Sequence, residues 1–364
     1  MNETVGAFPA PPGVLPNFEN PESIAYRVII AAVLGPAIAL PIFGVRLYTR
    51  HRILRNLGYD DYTIILATIL ALAFSIYVGW QTTNGLGKHI WDVPPSSFYQ
   101  LMKIGDIVGP ICYNLSTMFI KVSLCIFYMR LKPFPNFQIA CYVVMVVSII
   151  YSLLAAFGFL WVCQPIAKYW DFTIMTGKCI NLTAFFLATA CINAATDLAL
   201  LVLPFSILKD LQLPLRRKIG VGLLLTTGSF VCIVSIVRMK IVIDGMYSVP
   251  LDGTWGMVAN FIWILAEMWL GIICACLPAV HSFYVRTFKK KKGDENPDLH
   301  NRDLQVVQDP NSGRVDLDDS GYQSVDVDLE TIGQEDHMYS SSTIRAMASD
   351  KSLLASTKKC NDES

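Results

Sequence analysis

The chain has 364 residues, of which 53% are apolar and 16% are charged, and its mean hydropathy is +0.45. Soluble domains of this length are rarely so apolar, so the composition excludes an ordinary globular protein. The formal charge at neutral pH is zero, but most acidic residues follow Gly293. The part of the chain before Gly293 is therefore predicted to lie in a membrane.

Seven apolar runs are long enough to cross about 30 Å of hydrocarbon, which takes about 20 helical residues. In chain order, these runs are predicted as helices at 24–48, 61–81, 104–130, 138–162, 184–208, 219–243 and 257–284. The fold class is thus all-α, a polytopic seven-transmembrane helix bundle. A six-span interpretation that demotes one run stays open. No internal repeat is visible, so the inverted-repeat architecture of many transporters is not indicated.

The loops that carry Lys and Arg near span ends are expected to be cytosolic. Bases gather in the first, third and fifth loops, at Arg46, Arg50, Arg52, Arg55, Arg130, Lys132, Lys209, Arg216, Arg217 and Lys218. The sixth loop, 244–255, has acids and no base. The N-terminus is therefore predicted outside the cytosol and the C-terminus inside it, and the plasma membrane is the expected location. The inverted orientation is the alternative.

Three regions follow from this pattern. Residues 1–23 form a short extracellular segment, 24–288 a seven-helix membrane domain, and 289–364 a polar cytosolic tail that is predicted to be disordered. The tail opens with four lysines, 289–292. These are either a stop-transfer anchor or a contact with anionic membrane lipids.

Two cysteines fall in the fourth loop, on the predicted outer side, where disulfides persist. A Cys163–Cys179 bridge is expected there, with Cys112 as the competing partner, because spacing alone does not determine connectivity. The sequon at Asn2 is the expected glycosylation site.

Ionisable residues within the spans are costly, so they are expected to face the bundle interior in pairs. Lys121 and Asp197 fall at similar depth in the third and fifth spans, and Arg238 can approach Glu267 in the outer half of the bundle. These two ion pairs either line a cavity for a ligand or proton, or only fix the packing of the helices. The sequence does not choose between the two roles.

The sequence contains few residue patterns that are typical of catalytic or cofactor-binding sites. No Ser–His, Cys–His, paired-carboxylate or metal-ligand spacing stands out, so neither an enzyme nor a metal site is predicted. The glycines at 85 and 87 lack the strand-to-helix context of a phosphate-binding loop, and a turn is expected instead. Nucleic acid is not an expected partner.

Several short motifs occur in a characteristic order. They are Arg46 with Asp60-Asp61-Tyr62, Gly85 to His89, Lys121-Val122-Ser123, Phe127 to Arg130, Cys163-Gln164-Pro165, Tyr169-Trp170-Asp171, Cys179-Ile180-Asn181, Asp197, Pro204, Arg216-Arg217-Lys218, Arg238, Glu267 and Cys276-Leu277-Pro278. In this combination, over about 24–288, the chain resembles the fungal rhodopsin-like seven-helix integral membrane domain. The resemblance implies a receptor-like membrane protein, or one of the members that accompany secondary-metabolite gene clusters.

The resemblance does not imply a retinal protein. A retinal Schiff base needs a lysine in the seventh span, and the run from Met257 to Tyr284 contains none. No covalently bound cofactor is therefore expected.

The leading functional expectation is a G-protein-coupled-receptor-like sensor of an extracellular or membrane-borne small molecule. Such a receptor would present a basic face to a cytosolic signalling protein, through Arg50, Arg52, Arg130, Arg216 and Arg217. The alternative is a transporter or accessory membrane protein of a secondary-metabolite pathway. Flux of a substrate that depends on Asp197 would distinguish the transporter.

Overall fold

Inside hydrocarbon, backbone N–H and C=O groups find no water, so an apolar run must satisfy them internally as a helix. The computed structural model describes residues 6–53, 55, 57–131, 134–169, 176–210, 215–247 and 252–294. The side chains left out of this description are at 106, 159, 169, 182–183, 206–219, 221, 245–247 and 285–294. Within the described residues, seven helices are long and apolar enough to cross a membrane, which confirms the predicted fold class.

The helices are α1 Ala25–Tyr48, α2 Tyr59–Thr83, α3 Pro95–Leu131, α4 Pro135–Gly158, α5 Leu182–Asp210, α6 Leu215–Tyr247 and α7 Gly253–Asp294. A π-helical turn, Thr49–Ile53, continues α1, and short 3-10 segments lie at Ile90–Asp92, Phe159–Trp161 and Ile166–Tyr169. Two short strands, β1 Cys163–Gln164 and β2 Lys178–Cys179, lie between α4 and α5. The region predicted as a disordered tail, 289–364, lies outside the described residues from 295 onward.

The third helix is longer than the apolar run that predicts it, because it begins at Pro95 and not near 104. Its first turns are polar in sequence, yet they pack on α2. Leu101 is buried, and its carbonyl accepts a hydrogen bond from Gln81 Nε2 at 3.1 Å. A hydropathy window cannot detect this extension, because it depends on a tertiary contact and not on local apolarity.

Glycines permit the close approach of α2 and α3. A Cβ atom at Gly105 would lie 2.6 Å from Gln81 Nε2, and one at Gly109 would lie 3.2 Å from the Tyr77 ring. Small residues at such crossings are typical of membrane helix pairs. Many large apolar side chains point outward, as expected of a lipid-facing surface, among them Val33, Ile69, Ile76, Val143, Leu154 and Ile233.

The chain before α1, the α2–α3 loop and the start of α7 are joined by backbone hydrogen bonds. Ala7 N donates to Val93 O at 2.9 Å, Ile24 N to Gly87 O at 2.9 Å, and Gly87 N to Thr254 O at 3.1 Å. Gly87 has φ of 88°, a conformation that glycine adopts without strain. We call this side of the bundle the N-terminal end, and the side where α1 ends the opposite end.

The predicted disulfide is present. Strands β1 and β2 pair antiparallel with Cys163 opposite Cys179, and the two sulfur atoms are bonded across a separation of 16 residues. Cys112, the competing partner, is a free thiol. The bridge ties the two ends of the α4–α5 loop together.

We expect the double variant Cys163→Ser and Cys179→Ser to be less stable than the wild type. A bridge over a loop of this length stabilises a protein by about 2–4 kcal/mol, mainly by restricting the unfolded chain. Thermal unfolding in detergent, with and without reductant, measures the effect. Cys112→Ser is the control and should behave as the wild type. If reductant lowers the melting temperature of the double variant as much as that of the wild type, the bridge is not the source of stability.

Candidate functional site

A network of charged and polar side chains is buried between α3, α4, α5, α6 and α7. We call it the charge network. Its first ion pair joins α3 to α5, with Lys121 Nζ 3.0 Å from Asp197 Oδ1. The same ammonium group donates to Tyr151 Oη at 3.0 Å, Asn193 Oδ1 at 2.9 Å and Thr196 Oγ1 at 2.7 Å. The Lys121 ammonium group thus contacts oxygen atoms on both α4 and α5.

The second ion pair joins α6 to α7. Arg238 Nε lies 2.8 Å from Glu267 Oε2, and both side chains are buried. Neither Arg238 Nε nor Glu267 Oε2 has a hydrogen-bond partner among the described residues. At this short distance, the Nε–H group is therefore not aligned with the carboxylate. The other carboxylate oxygen, Oε1, accepts from Tyr113 Oη on α3 at 3.1 Å, and the Tyr113 ring lies 5.0 Å from the guanidinium carbon. The geometry is therefore a charge contact supported by an aromatic ring.

The side chain of Asn193 connects the two ion pairs. Its Oδ1 accepts from Lys121, while its Nδ2 donates to Glu267 Oε1 at 2.7 Å. Ser235 Oγ on α6 donates to Asp197 Oδ2 at 2.6 Å. Two cations and two carboxylates thus balance each other in one unit of ion pairs and hydrogen bonds that spans five helices.

Helical spacing explains how α5 supplies so many of these groups. Asn193, Thr196 and Asp197 are related by three and four residues, so they share one face of the helix. Removing a partner from such a unit would leave a charge unpaired at low dielectric, which costs several kcal/mol. The network therefore holds the relative positions of the five helices.

A second cluster lies at the opposite end, around two acidic residues in the first turn of α2. We call it the arginine cluster. Arg46 Nη2 lies 2.9 Å from Asp60 Oδ2 and 2.8 Å from Asp61 Oδ1. Arg50 Nη2 lies 3.2 Å and Arg130 Nη1 2.9 Å from Asp60 oxygen atoms. Three arginines from α1, its π-helical turn and α3 thus converge on two carboxylates, leaving one excess positive charge.

Backbone groups complete the arginine cluster. Arg46 Nη1 donates to the carbonyl of Ala275 on α7, and Ser123 Oγ on α3 donates to the carbonyl of Asp60 at 2.8 Å. Asp61 Oδ2 accepts from the backbone N–H of Gly58, which caps the start of α2 at 3.1 Å. The cluster therefore contacts α1, α2, α3 and α7.

At the N-terminal end, the imidazole of His89 lies between two indole rings. The ring centroid is 4.7 Å from that of Trp91 and 4.1 Å from that of Trp255, and all three rings are almost parallel. His89 Nδ1 is in contact with Asp252 Oδ2, and Asp252 Oδ1 accepts from the backbone N–H of Ile90 at 3.1 Å. This aromatic stack joins the α2–α3 loop to the start of α7.

The stack forms one wall of a cavity of about 560 Å³ at the N-terminal end. The segment before α1 forms the other wall, through side chains such as Leu15, Asn17 and Glu22. A volume of this order suits a small organic molecule. A smaller void of about 40 Å³ lies beside Lys121 and Asp197 and is lined mostly by apolar side chains.

The structure places most of the predicted site residues. It brings Lys121 to Asp197 and Arg238 to Glu267. Of the predicted basic face, Arg52 is exposed, Arg130 is 43% exposed while paired with Asp60, and Arg50 is directed at Asp60 with only 15% of its side chain exposed. The side chains of the remaining members, and the predicted glycosylation site, lie outside the described residues, at Arg216, Arg217 and Asn2.

Sequence reasoning missed other members of these clusters. Tyr113, Tyr151 and Ser235 are common residue types in membrane helices, and only their contacts reveal their role. Asp60 and Asp61 were noted only as part of a motif, although two acids beside an arginine-rich turn are a usable signal for ion pairs. Among the described residues, no group of three or more His, Cys, Asp or Glu side chains is arranged to hold a metal.

We expect Lys121→Met to destabilise the protein by about 3–5 kcal/mol, because it leaves the Asp197 carboxylate buried without its cation. The double variant Lys121→Met with Asp197→Leu should recover much of this loss, since both charges are then removed. Chemical denaturation in detergent completes the double-mutant cycle. Thr226→Val, at an exposed site on α6, is the control. Additive effects of the two single changes would show that the residues are not coupled.

Comparison with known proteins agrees with this architecture. The chain is 28% identical to a SAT4 family membrane protein of Emericella nidulans over 57% of this chain and 53% of that protein. It is 25% identical to the Fugralins biosynthesis cluster protein 2 of Gibberella zeae, over 75% and 69% of the two chains, and 24% identical to the Receptor GIN3 of Arthrobotrys oligospora, over 75% and 66%.

The matched region spans about half the length of the first of these relatives. No solved structure matches the chain significantly. The sequence model described as the fungal rhodopsin domain matches residues 45–286, which contain the last turn of α1, all of α2 to α6 and most of α7. The chain is therefore a membrane protein that belongs to the fungal rhodopsin domain family.

Proposed function

We propose that the protein is a receptor-like sensor that binds a small molecule at the N-terminal end and changes the arginine cluster at the opposite end. The observation that carries the proposal is the course of α7. Its first turn holds Trp255 in the aromatic stack, its middle supplies Glu267 to the charge network, and the carbonyl of Ala275 accepts from Arg46. One helix thus contacts the cavity wall, the network and the opposite end.

The distance that α7 bridges is large. Trp255 and Ala275 are 20 residues apart in the sequence, which corresponds to about 30 Å along a helix axis. A helix transmits a shift or rotation over this length without internal deformation, provided that its neighbours have two arrangements. A ligand that favours one position of the aromatic stack would therefore bias the position of Ala275 against Arg46.

The third helix offers a parallel connection. Tyr113 and Lys121 belong to the charge network, while Ser123 and Arg130 belong to the arginine cluster. Movement of α3 against α7 would thus alter both clusters together. The excess positive charge and the exposed Arg52 make the opposite end suitable for an acidic surface of a signalling protein.

The distribution of Lys and Arg in the loops supports an orientation with the N-terminal end outside and the C-terminal tail in the cytosol. We propose the plasma membrane as the location. An epitope tag at the N-terminus should then be accessible to antibody on intact cells. The cavity would face the exterior, and the proposed basic face, including Arg216 and Arg217, would face the cytosol.

The names of the relatives support two functions. One relative is named as a receptor, which agrees with a sensor. Others are named as biosynthesis cluster proteins, of fugralins, wortmanamides and polyenoic acids. The alternative function is accordingly a transporter or accessory membrane protein of a metabolite pathway. We propose no catalytic role, and no covalently bound retinal because residues 257–284 of α7 contain no lysine.

The proposal is tested with wild-type protein in lipid nanodiscs and a panel of fungal metabolites, host-surface lipids and all-trans-retinal. We expect a compound that raises the melting temperature also to change hydrogen exchange in the segment 49–62 by about fivefold or more, the lower end of typical allosteric coupling. The segment covers the π-helical turn and both acids of the arginine cluster. Retinal should produce no visible absorbance band.

A matched pair of variants locates the coupling. Glu267→Gln should weaken the exchange response at 49–62, whereas the control Thr226→Val should leave it unchanged. Binding without any response at 49–62 would contradict the receptor. In that case, flux of the same compound into proteoliposomes, abolished by Asp197→Asn, would establish the transporter.

A further inference from the structure

Among the described residues, five carboxylate side chains are less than one tenth exposed: Asp60, Asp61, Asp92, Asp197 and Glu267. Four of them have a lysine or arginine nitrogen within about 3 Å, as described above. Asp92 differs from the others, because no Lys or Arg in the described part of the chain pairs with it. Such a carboxylate loses most of its hydration without gaining a counter-charge, which is costly.

The position of Asp92 shows where a counter-charge could come from. It ends the 3-10 segment Ile90–Asp92 in the α2–α3 loop and is 7% exposed. Its Oδ1 accepts one hydrogen bond, from the backbone N–H of Asn17, at 2.8 Å. Its Oδ2 has no hydrogen-bond partner among the described residues, and the residue lines the 560 Å³ cavity.

The rest of the cavity wall has the same electrostatic character. Glu22 contributes a second carboxylate, whose Oε2 lies 4.0 Å from His89 Nε2, and the described lining contains no Lys or Arg. Trp91 and His89 supply aromatic surface, and Val14 and Leu15 supply apolar surface. Leu15 is 90% exposed, so the apolar rim is open to an entering molecule.

We propose that this cavity binds an organic cation, an amine or quaternary ammonium compound with an apolar body. Its positive charge pairs with Asp92, the indole of Trp91 adds cation–π attraction, and the apolar body lies against Val14 and Leu15. The inference rests on the proposed sensor function, since it names the class of ligand that the N-terminal cavity recognises. Trp91 stacks on His89, and His89 stacks on Trp255 of α7. A cation bound at Trp91 is therefore connected to α7 through these rings.

An inorganic metal ion fits the same acids less well. The described residues contain no group of three metal-binding side chains. The cavity is also far larger than a single ion needs, while a small organic molecule matches its volume and its apolar rim. The charge supplies attraction, and the aromatic and apolar walls supply the preference for an organic body.

The test compares cations with neutral molecules of the same shape. Full-length protein in a non-ionic detergent is titrated with 2-phenylethylamine and choline, and with their neutral counterparts 2-phenylethanol and 3,3-dimethylbutan-1-ol. Saturation-transfer NMR reports binding. We expect at least one cation to bind about tenfold or more tightly than its neutral counterpart, because a charge-assisted contact is then present. Equal binding of both members in both pairs, or no binding of either cation, would overturn the proposal.

Two variants distinguish pairing with Asp92 from a general effect of the negative surface charge. Asp92→Asn keeps an oxygen that can accept from Asn17 and should weaken binding of the cation about tenfold. Glu19→Gln removes a charge from the segment before α1, outside the cavity lining, and should leave binding unchanged. Equal losses in both variants would mean that only the net charge of the surface matters, against the proposal.

Stability of the ligand-free variants gives an independent readout. If Asp92 is kept for a ligand, Asp92→Asn should melt at the same temperature as the wild type or higher, because an unpaired buried charge has been removed. A clearly lower melting temperature would assign Asp92 a purely structural role. Cation binding without an exchange response at 49–62 would refute the sensor while leaving this site in place. An exchange response at 49–62 to a neutral metabolite, without cation binding, would support the sensor and refute the cation site.

Discussion

The charge network is the constraint on which the rest of the bundle depends. Lys121 and Asp197 can exist inside an apolar bundle only as partners, and the same holds for Arg238 and Glu267. Asn193 holds both pairs in one hydrogen-bonded unit. Because the unit draws on α3, α4, α5, α6 and α7, a change in the position of one helix disturbs the charges of the others. Apolar packing alone would tolerate small shifts more easily.

The same constraint recurs at the opposite end with a different outcome. Arg46 is almost completely buried, and it pairs with both acids of α2 while also donating to a carbonyl of α7. Arg50 and Arg130 add two more charges to two acids, so the cluster keeps a positive excess. The network in the bundle is therefore balanced in charge, whereas the cluster at the end of the bundle is not, which agrees with the acidic partner that we propose there.

The N-terminal end departs from the rule of paired charges. Asp92 is buried without a lysine or arginine partner among the described residues, and it lines a cavity whose described lining contains no Lys or Arg. Local departures of this kind cost stability and persist where function requires them. The aromatic stack of Trp91, His89 and Trp255 connects the loop that holds Asp92 to α7 through two successive ring contacts. The three regions of the bundle are therefore connected by one continuous helix.

The sequence by itself determined the seven helices, since length and hydropathy are local properties. It also placed Lys121 and Asp197 at similar depth, and it favoured the Cys163–Cys179 bridge because both cysteines share one loop. Only the tertiary structure decided that the two ion pairs form one network and that α3 begins at Pro95. It alone showed that Asp92 borders a cavity. These features depend on contacts between residues far apart in the chain, which no local pattern records.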